Sequence, residues 1–510
     1  MFYLVIDCGT SGCRASLVSE TGEIIQQRRQ SGALRGLSLL LGETDAEEVW
    51  NQVREVTSSI LEGVSGGTVE GVGISAMLGY VFLDEESRPL MPATLWMDNR
   101  SWREAQELSC RFGHDELYLR TGRRMSPELL APKLLRVQRQ TPEAFRGIHR
   151  ILGLKDELVR RLTGNCVTDY AHLDYTSLWD VRSGRPLPEV MTALGIGPTL
   201  FPEALPAYEI AGCVTSSAAK ETGLPEGTPV VVGTSDGTAA MYGGGVLQQG
   251  KAVLVSGTTD VLMIASDLYV EDDSRMLTVN RGMFPGIFLV GGAMGLSAGA
   301  LEWLGNLLHE SAEGIEPCIA AVGPGAGGLL FSPGLTGERA PYWREHWSGG
   351  VLGLRSWHGP EHIFRALMEG CAMRLGRLVA RLRENSLRPR CMHAVGGGAG
   401  LGVWNQIRAD ATDTEVRCPE ALEATTLGTA MFCRAATEGV DVLRDLAHNW
   451  VKVKKIYAPI PEHVRMYEML AEAYDLFLEA ADPVYQRLRA WTPHGTDSMQ
   501  SGMSSQGAGS

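Results

Sequence analysis

Phe2-Tyr3-Leu4-Val5-Ile6-Asp7-Cys8-Gly9-Thr10-Ser11-Gly12-Cys13-Arg14-Ala15-Ser16-Leu17-Val18 opens the chain with an apolar run, a Gly/Thr/Ser turn and a second run. Residues 2 to 6 are apolar without a break, as a buried strand requires, and residues 14 to 18 return, so the segment predicts a hairpin. Asp7 ends the first strand just where the chain turns. The turn's N–H groups and the hydroxyls of Thr10 and Ser11 suit phosphate oxygens, Asp7 suits Mg²⁺ held through water, and Arg14 offsets negative charge. An ordinary hairpin with a turn-capping Asp fits the same residues.

Outward from the hairpin, Thr44-Asp45-Ala46-Glu47 reads as a capping box. Ala46, Val49, Trp50, Val53, Val56 and Ile60 then recur at helical spacing. Val69 to Ser75 is another short apolar strand, and this alternation predicts an α/β lobe. Val230-Val231-Val232 runs into Gly233-Thr234-Ser235-Asp236-Gly237, which places a second Asp at a strand end. Its glycines admit a substrate, and its carboxylate suits the proton of an attacking hydroxyl, although an Asp bonded to its own turn reads equally well.

After Gly243-Gly244-Gly245 the opening pattern returns as Ala252 to Ser256, Gly257-Thr258-Thr259, and Val261 to Ile264. The echo predicts an internal duplication divided near residue 247. Pro360 opens a helix with Ile363, Leu367, Cys371, Leu375, Leu378 and Leu382 along one stripe, which core packing explains. Gly396-Gly397-Gly398-Ala399-Gly400-Leu401-Gly402 then joins a strand to a helix and suits a nucleotide. It is neither a Walker loop nor a dinucleotide fingerprint.

The chain has 510 residues, 44% hydrophobic and 21% charged, which suits several domains with substantial cores. Its formal charge of −14 disfavours nucleic acid. No basic leader precedes Asp7 and no run of ~20 apolar residues follows, so a cytoplasmic protein without membrane contact is expected. Ten cysteines without a Cys-x-x-Cys pair read as reduced and structural, Cys8 and Cys13 as small buried fillers. The Ser/Gly-rich end has little to bury, and residues 484–510 are expected to form a largely disordered extension.

Several segments together resemble the FGGY family of carbohydrate kinases, within the actin, hexokinase and heat-shock ATPase superfamily. They are residues 7 to 14, Leu95-Trp96-Met97-Asp98-Asn99-Arg100, Pro132-Lys133-Leu134-Leu135, residues 233 to 237, Ser256-Gly257-Thr258-Thr259, Gly337-Glu338-Arg339-Ala340-Pro341, and Gly396 through Asp410. They stand in the family's order over nearly the whole chain to about residue 480. The resemblance implies an α/β fold of two actin-like (ribonuclease H-like) lobes about a central cleft. Residues 1–247 would bind sugar and phosphate, and residues 248–483 would bind ATP. Carried over by position, Asp7 serves Mg²⁺, Thr10, Ser11 and Arg14 the phosphates, and Asp236 is the general base that touches the sugar. Gly257 and Thr258 meet the β/γ-phosphates, and Gly397, Gly398 and Gly402 lie near adenosine. A homodimer is compatible with the resemblance but is not fixed by it.

Within the family, residues 96 to 100 and 132 to 135 look most like xylulokinases, the first segment also like gluconate kinases. Those relatives usually carry Gln-Met-His near the sugar pocket, whereas this chain has Ser75-Ala76-Met77-Leu78-Gly79. Met77 and Leu78 are thus expected at the sugar without that imidazole. Asp98 and Arg100 are the expected polar contacts, although a surface ion pair suits them equally. The expected activity is ATP-dependent phosphorylation of a ketopentose such as xylulose. The alternatives are a sugar acid (gluconate), a polyol, or a non-catalytic sensor. Trp96, Trp179, Tyr80 and Tyr342 are candidates to stack on sugar, with core packing the commoner role. His172 and His393 have no partner visible in sequence and receive no role.

Overall fold

The computed structural model describes residues 1–32, 41–62 and 68–488. The opening residues form β1 (Phe2–Gly9) and β2 (Gly12–Ser19), which continue as a meander into β3 (Ile24–Ser31). Only Thr10 and Ser11 separate the first two strands. A side chain at Gly12, where φ is +136°, would strike the Gln30 carbonyl at 2.1 Å, so the tight tip demands glycine. Next comes α1 (Ala46–Leu61), whose Val49, Trp50, Val53, Val56 and Ile60 are buried. Its cap is Asp45, accepting from the Glu47 N–H at 2.8 Å, so the capping box expected from Thr44 does not form. β4 (Val69–Ala76), α2 (Leu154–Thr163), β5 (Ile210–Cys213), β6 (Pro229–Val231) and α3 (Asp236–Gly243) complete this half.

Its seven-stranded sheet has the order β5-β6-β4-β1-β2-β3, with Thr234–Ser235 added beside β4. β4 runs parallel to β1 and β6, whereas β2, β3 and β5 are antiparallel to their neighbours.

The second half repeats this plan with β7 (Lys251–Ser256), β8 (Thr259–Ser266), β9 (Thr278–Arg281), β10 (Phe288–Leu296), α4 (Pro360–Glu384), β11 (Cys391–Val395), α5 (Gly402–Thr412), β12 (Glu415–Pro419), α6 (Ala424–Glu438), β13 (Val453–Tyr457) and α7 (Pro461–Leu488). Its order is β9-β10-β8-β7-β11-β12-β13. β7 lies antiparallel to β8 and parallel to β11, β11 parallel to β12, and β13 closes the edge antiparallel. Apart from the added β9, strand directions match the first sheet one for one. The short hairpin echo thus extends to two whole sheets.

Each half lends a helix to the other. α6 packs on β1, β4 and α3, while α3 also packs on β7. The two helices meet backbone to backbone: a Cβ on Gly243 would lie 1.9 Å from the Ala424 carbonyl, and one on Gly428 2.1 Å from the Ala239 carbonyl. Val5, Val18, Ala239, Val253, Val395 and Ala430 belong to one buried cluster, so a single core joins the halves. α7 carries its apolar face past Pro483, with Leu478 and Tyr485 both buried one heptad apart. Residues 484 to 488 are therefore helical, not part of a disordered extension, and residues 489–510 lie outside the described residues. No described helix is long and apolar enough to cross a membrane.

Candidate active site

β1 brings Asp7 to the end of the first sheet, with Arg14 opposite on β2 and Ser75 beside it on β4. The Ser75 hydroxyl donates to its carboxylate at 2.9 Å. Among the described residues no cation stands within 4.0 Å of Asp7. Burial, reinforced by the charge of Asp236, pushes the Asp7 carboxyl up to about 6, against the opposing pull of Ser75 and Arg14. A carboxylate raised by burial and by the charge of a second carboxylate, with no cation within 4.0 Å of either among the described residues, suits a site for Mg²⁺. At the hairpin tip Thr10 is half-buried, while exposed Ser11 accepts from Arg29 at 2.7 Å.

Asp236 is the first residue of α3, where the unpaired N–H groups of a helix start favour a carboxylate. It accepts from the Gly237 N–H at 2.7 Å and has no cation within 4.0 Å among the described residues. Burial raises its carboxyl, with the Gly237 N–H and His172 pulling the other way. The strand end expected to hold Asp236 leads directly into a helix, and its carboxylate bonds to the N–H of its own neighbour Gly237.

A buried network missed in the sequence holds the segment entering Asp236. Lys155 donates to the Val232 carbonyl at 2.9 Å, and the Thr234 hydroxyl donates to Asp169 at 2.6 Å. Lys155 also pairs with Asp156 at 2.5 Å and Asp169 at 3.3 Å, and His172 Nδ1 lies 2.6 Å from Asp169. Burial alone would raise the Asp169 carboxyl, but His172 and Lys155 outweigh it and hold it well below the usual range. Asp156, Asp169 and His172 resemble a metal triad by proximity, yet the Lys155 ammonium already takes the cation's place between the two carboxylates. No local signal reveals this network, because its members lie on α2, at residues 169–172 and before α3.

Beside Asp7, the Met77 N–H donates to the Cys8 carbonyl and the Trp96 N–H to Leu78, which brings residues 77, 78 and 96 next to the first hairpin. Asp98 and Arg100 are engaged with the chain itself. Buried Asp98 accepts from Arg100 Nε at 2.8 Å and from Arg136 Nη2 at 2.6 Å, and Arg100 also reaches Glu43. This is a buried network, not the surface pair considered from sequence. Lys133 likewise supports the wall, donating to the carbonyls of Leu95 at 2.6 Å and Glu128 at 3.1 Å. Of the four aromatic candidates, Tyr80 and Trp179 are buried and Tyr342 packs in a core cluster, while Trp96 is half-buried beside the Arg339 guanidinium.

In the second half Gly257 and Thr258 form the tip between β7 and β8, with Thr258 exposed. The glycine loop after β11 lies against the same strand, since a Cβ on Gly396 would stand 2.7 Å from the Ser256 carbonyl. Its glycines face different ways. A Cβ on Gly398 would hit Ser256 Oγ at 2.3 Å, and one on Gly402 would stand 3.0 Å from the Tyr457 hydroxyl, whereas one on Gly397 or Gly400 meets nothing within 4 Å. Gly397 and Gly400 are therefore the positions open to a ligand, and Gly398 is a packing glycine. The N–H of Val403, the second residue of α5, is already taken by Glu316 at 2.8 Å.

The FGGY family of carbohydrate kinases matches this chain with its N-terminal domain over residues 2–243 and its C-terminal domain over residues 252–437. The xylulose kinase of Escherichia coli (strain K12) is 30% identical over 412 residues, 80% of this chain and 84% of its own length. The gluconokinase of Bacillus subtilis (strain 168) is 27% identical over 483 residues, 92% of this chain and 94% of its own length. The crystal structure of xylulose kinase from Rhodospirillum rubrum superposes with a TM-score of 0.86 at 27% identity, covering 95% of this chain and all of that one, 100%. The chain belongs to the FGGY family of carbohydrate kinases: it is a phosphotransferase with the two-lobed actin-like fold.

Proposed function

We propose that this protein transfers the γ-phosphoryl of ATP to a hydroxyl of a small sugar bound between residues 1–247, the sugar and phosphate lobe, and residues 248–483, the ATP lobe. The observation that carries this reading is the pair Asp7 and Asp236: the charge of Asp236 adds to the burial that raises the Asp7 carboxyl, and no cation stands within 4.0 Å of either among the described residues. Asp236 accepts the proton of the attacking hydroxyl, the Gly237 N–H fixing its orientation. Asp7 holds Mg²⁺, which accompanies ATP and offsets phosphate charge. Thr10, Ser11, Arg14, Gly257 and Thr258 line the phosphates, and Gly397 and Gly400 face adenosine. Met77, Leu78 and Trp96 form the sugar wall, with Asp98 and Arg100 bracing it from behind.

Relatives of similar identity carry the names xylulose kinase and gluconokinase. A ketopentose such as xylulose remains one acceptor supported by residues 96 to 100. A sugar acid is the second, favoured by the guanidiniums of Arg123 and Arg124, which pair with no carboxylate within 4.0 Å among the described residues. The ten free cysteines support a reducing, cytoplasmic setting.

Acceptor-dependent ADP release by the purified chain tests the reading. Release should require ATP, Mg²⁺ and one of a panel of ketoses, polyols and sugar acids. ATP binding without release for any acceptor would instead mark a sensor.

A further inference from the structure

Where the halves meet beside the sugar wall there is a narrow cavity lined by Arg123, Arg124, Glu128 and Tyr175 from the first half and Arg339 and Trp343 from the second. Its charge is unbalanced, with three guanidiniums against one carboxylate. Glu128 is taken by Arg339 at 2.6 Å. Arg124 donates to the carbonyls of Arg275 at 2.8 Å and Ser274 at 3.3 Å and pairs with no carboxylate within 4.0 Å among the described residues.

Arg123 is the most exposed to the consequences of burial. Only 3% of it is solvent-accessible, and its guanidinium lies 4.2 Å from the centre of the Tyr175 ring. Nη2 donates to the neutral amide oxygen of Asn280, and the buried Nε has no partner among the described residues. A buried cation without a counter-ion is costly, and the cost is recovered when an anion arrives. The nearby acids are already committed: Asp174 to Arg281, Asp272 to Arg381, and Asp115 to Arg275.

The cavity adjoins the proposed sugar wall: the Arg339 guanidinium lies against the Trp96 ring, and Lys133, which supports that wall, donates to the carbonyl of cavity-lining Glu128 at 3.1 Å. The geometry points to Arg123, with Arg124 and Arg339 beside it, as the seat for a carboxylate on the acceptor, which makes the preferred substrate an aldonic acid and not a neutral ketose. This inference rests on the kinase reading above. A planar carboxylate matches the fork of a guanidinium, whose stacking on Tyr175 holds it flat.

The test compares ADP release with D-gluconate and D-xylonate against the neutral acceptors glucitol, xylitol and D-xylulose, in wild type, Arg123→Gln and Arg123→Lys. The acids should be preferred in kcat/KM. Arg123→Gln should raise KM for them about 10- to 100-fold with little change in kcat, lowering the ratio of acid to neutral kcat/KM, while Arg123→Lys recovers part of that ratio. Preferred turnover of neutral acceptors, with a ratio that Arg123→Gln does not move, overturns the carboxylate seat and leaves the kinase intact. A binding arm separates the two readings if nothing is turned over: gluconate should raise the melting temperature of wild type more than glucitol does, and Arg123→Gln should abolish the difference. Equal shifts in both proteins overturn the seat.

Discussion

In the first sheet β1 carries Asp7 two residues before its end, with Arg14 opposite and no cation within 4.0 Å among the described residues; in the second, β7 ends on Ser256, with Asp260 opposite and locked to Arg408 at 3.2 Å. Arg408 is 1% exposed and also donates to Ser256 Oγ at 2.6 Å. One hairpin plan therefore carries a carboxylate in both halves, satisfied internally in one and left open in the other. A buried carboxylate with its own guanidinium is architecture, whereas one that faces a second carboxylate is poised for a cation from outside. The chemistry should concentrate in the first half and the rigid support in the second.

The largest effect that would break this contrast is on Asp236, the partner of the open carboxylate. Asn keeps the size and the contact with the Gly237 N–H region but cannot take up the hydroxyl proton. Asp236→Asn should lower kcat by about 10²–10⁴-fold, with KM for the acceptor and the melting curve little changed. Steady-state kinetics beside a melting curve decide it, and near-normal kcat in a folded variant would place the base elsewhere.

The closed pair should respond in stability. Arg408→Met leaves Asp260 buried without its cation and removes a donor from Ser256, an expected loss of about 3–5 kcal/mol in chemical denaturation. The double variant Arg408→Met, Asp260→Leu should recover much of that. An Arg408→Met protein as stable as wild type would show that the second hairpin does not depend on the pair.

The two hairpins were legible in sequence because a strand and a Gly-Thr turn are local signals, and so were α1 and the stripe of α4. The exchange of α3 and α6 between the sheets was not, since it depends on Gly243 and Gly428 meeting across the molecule. Asp7 and Asp236 both stood out in sequence as aspartates after apolar runs, although Asp7 lies within β1 and not at its end. Which glycine of residues 396 to 402 faces a ligand depends on the direction of an absent Cβ, so Gly397 and Gly398 look alike in sequence and differ in space. Lys155 shows the same limit: in sequence it is a polar residue at a helix start, and in the fold it is fully buried between two acids. The Ser/Gly-rich end masked the last turns of α7, which run on through Pro483 to Leu488 because Tyr485 beyond the proline is buried.

The smallest effect is the stability that the open carboxylate withholds, and its sign follows from proton binding. Asp7 has an ordinary carboxyl pKa of 3.8 and one of about 6 in the fold. Between those values the folded protein holds a proton that the unfolded chain has released, so stability falls as pH rises from about 4 to about 6 and the penalty then stays constant. Asp7→Asn carries no such penalty. Without nucleotide the variant should match wild type near pH 4 and exceed it by about 3 kcal/mol at pH 8, read from denaturation midpoints across pH. Mg²⁺ and ATP should reverse the order, because they stabilise only the protein whose open carboxylate can hold the ion. A variant no more stable than wild type at pH 8 would mean that Asp7 is already compensated within the fold, as Asp260 is by Arg408, and the contrast between the two hairpins would collapse.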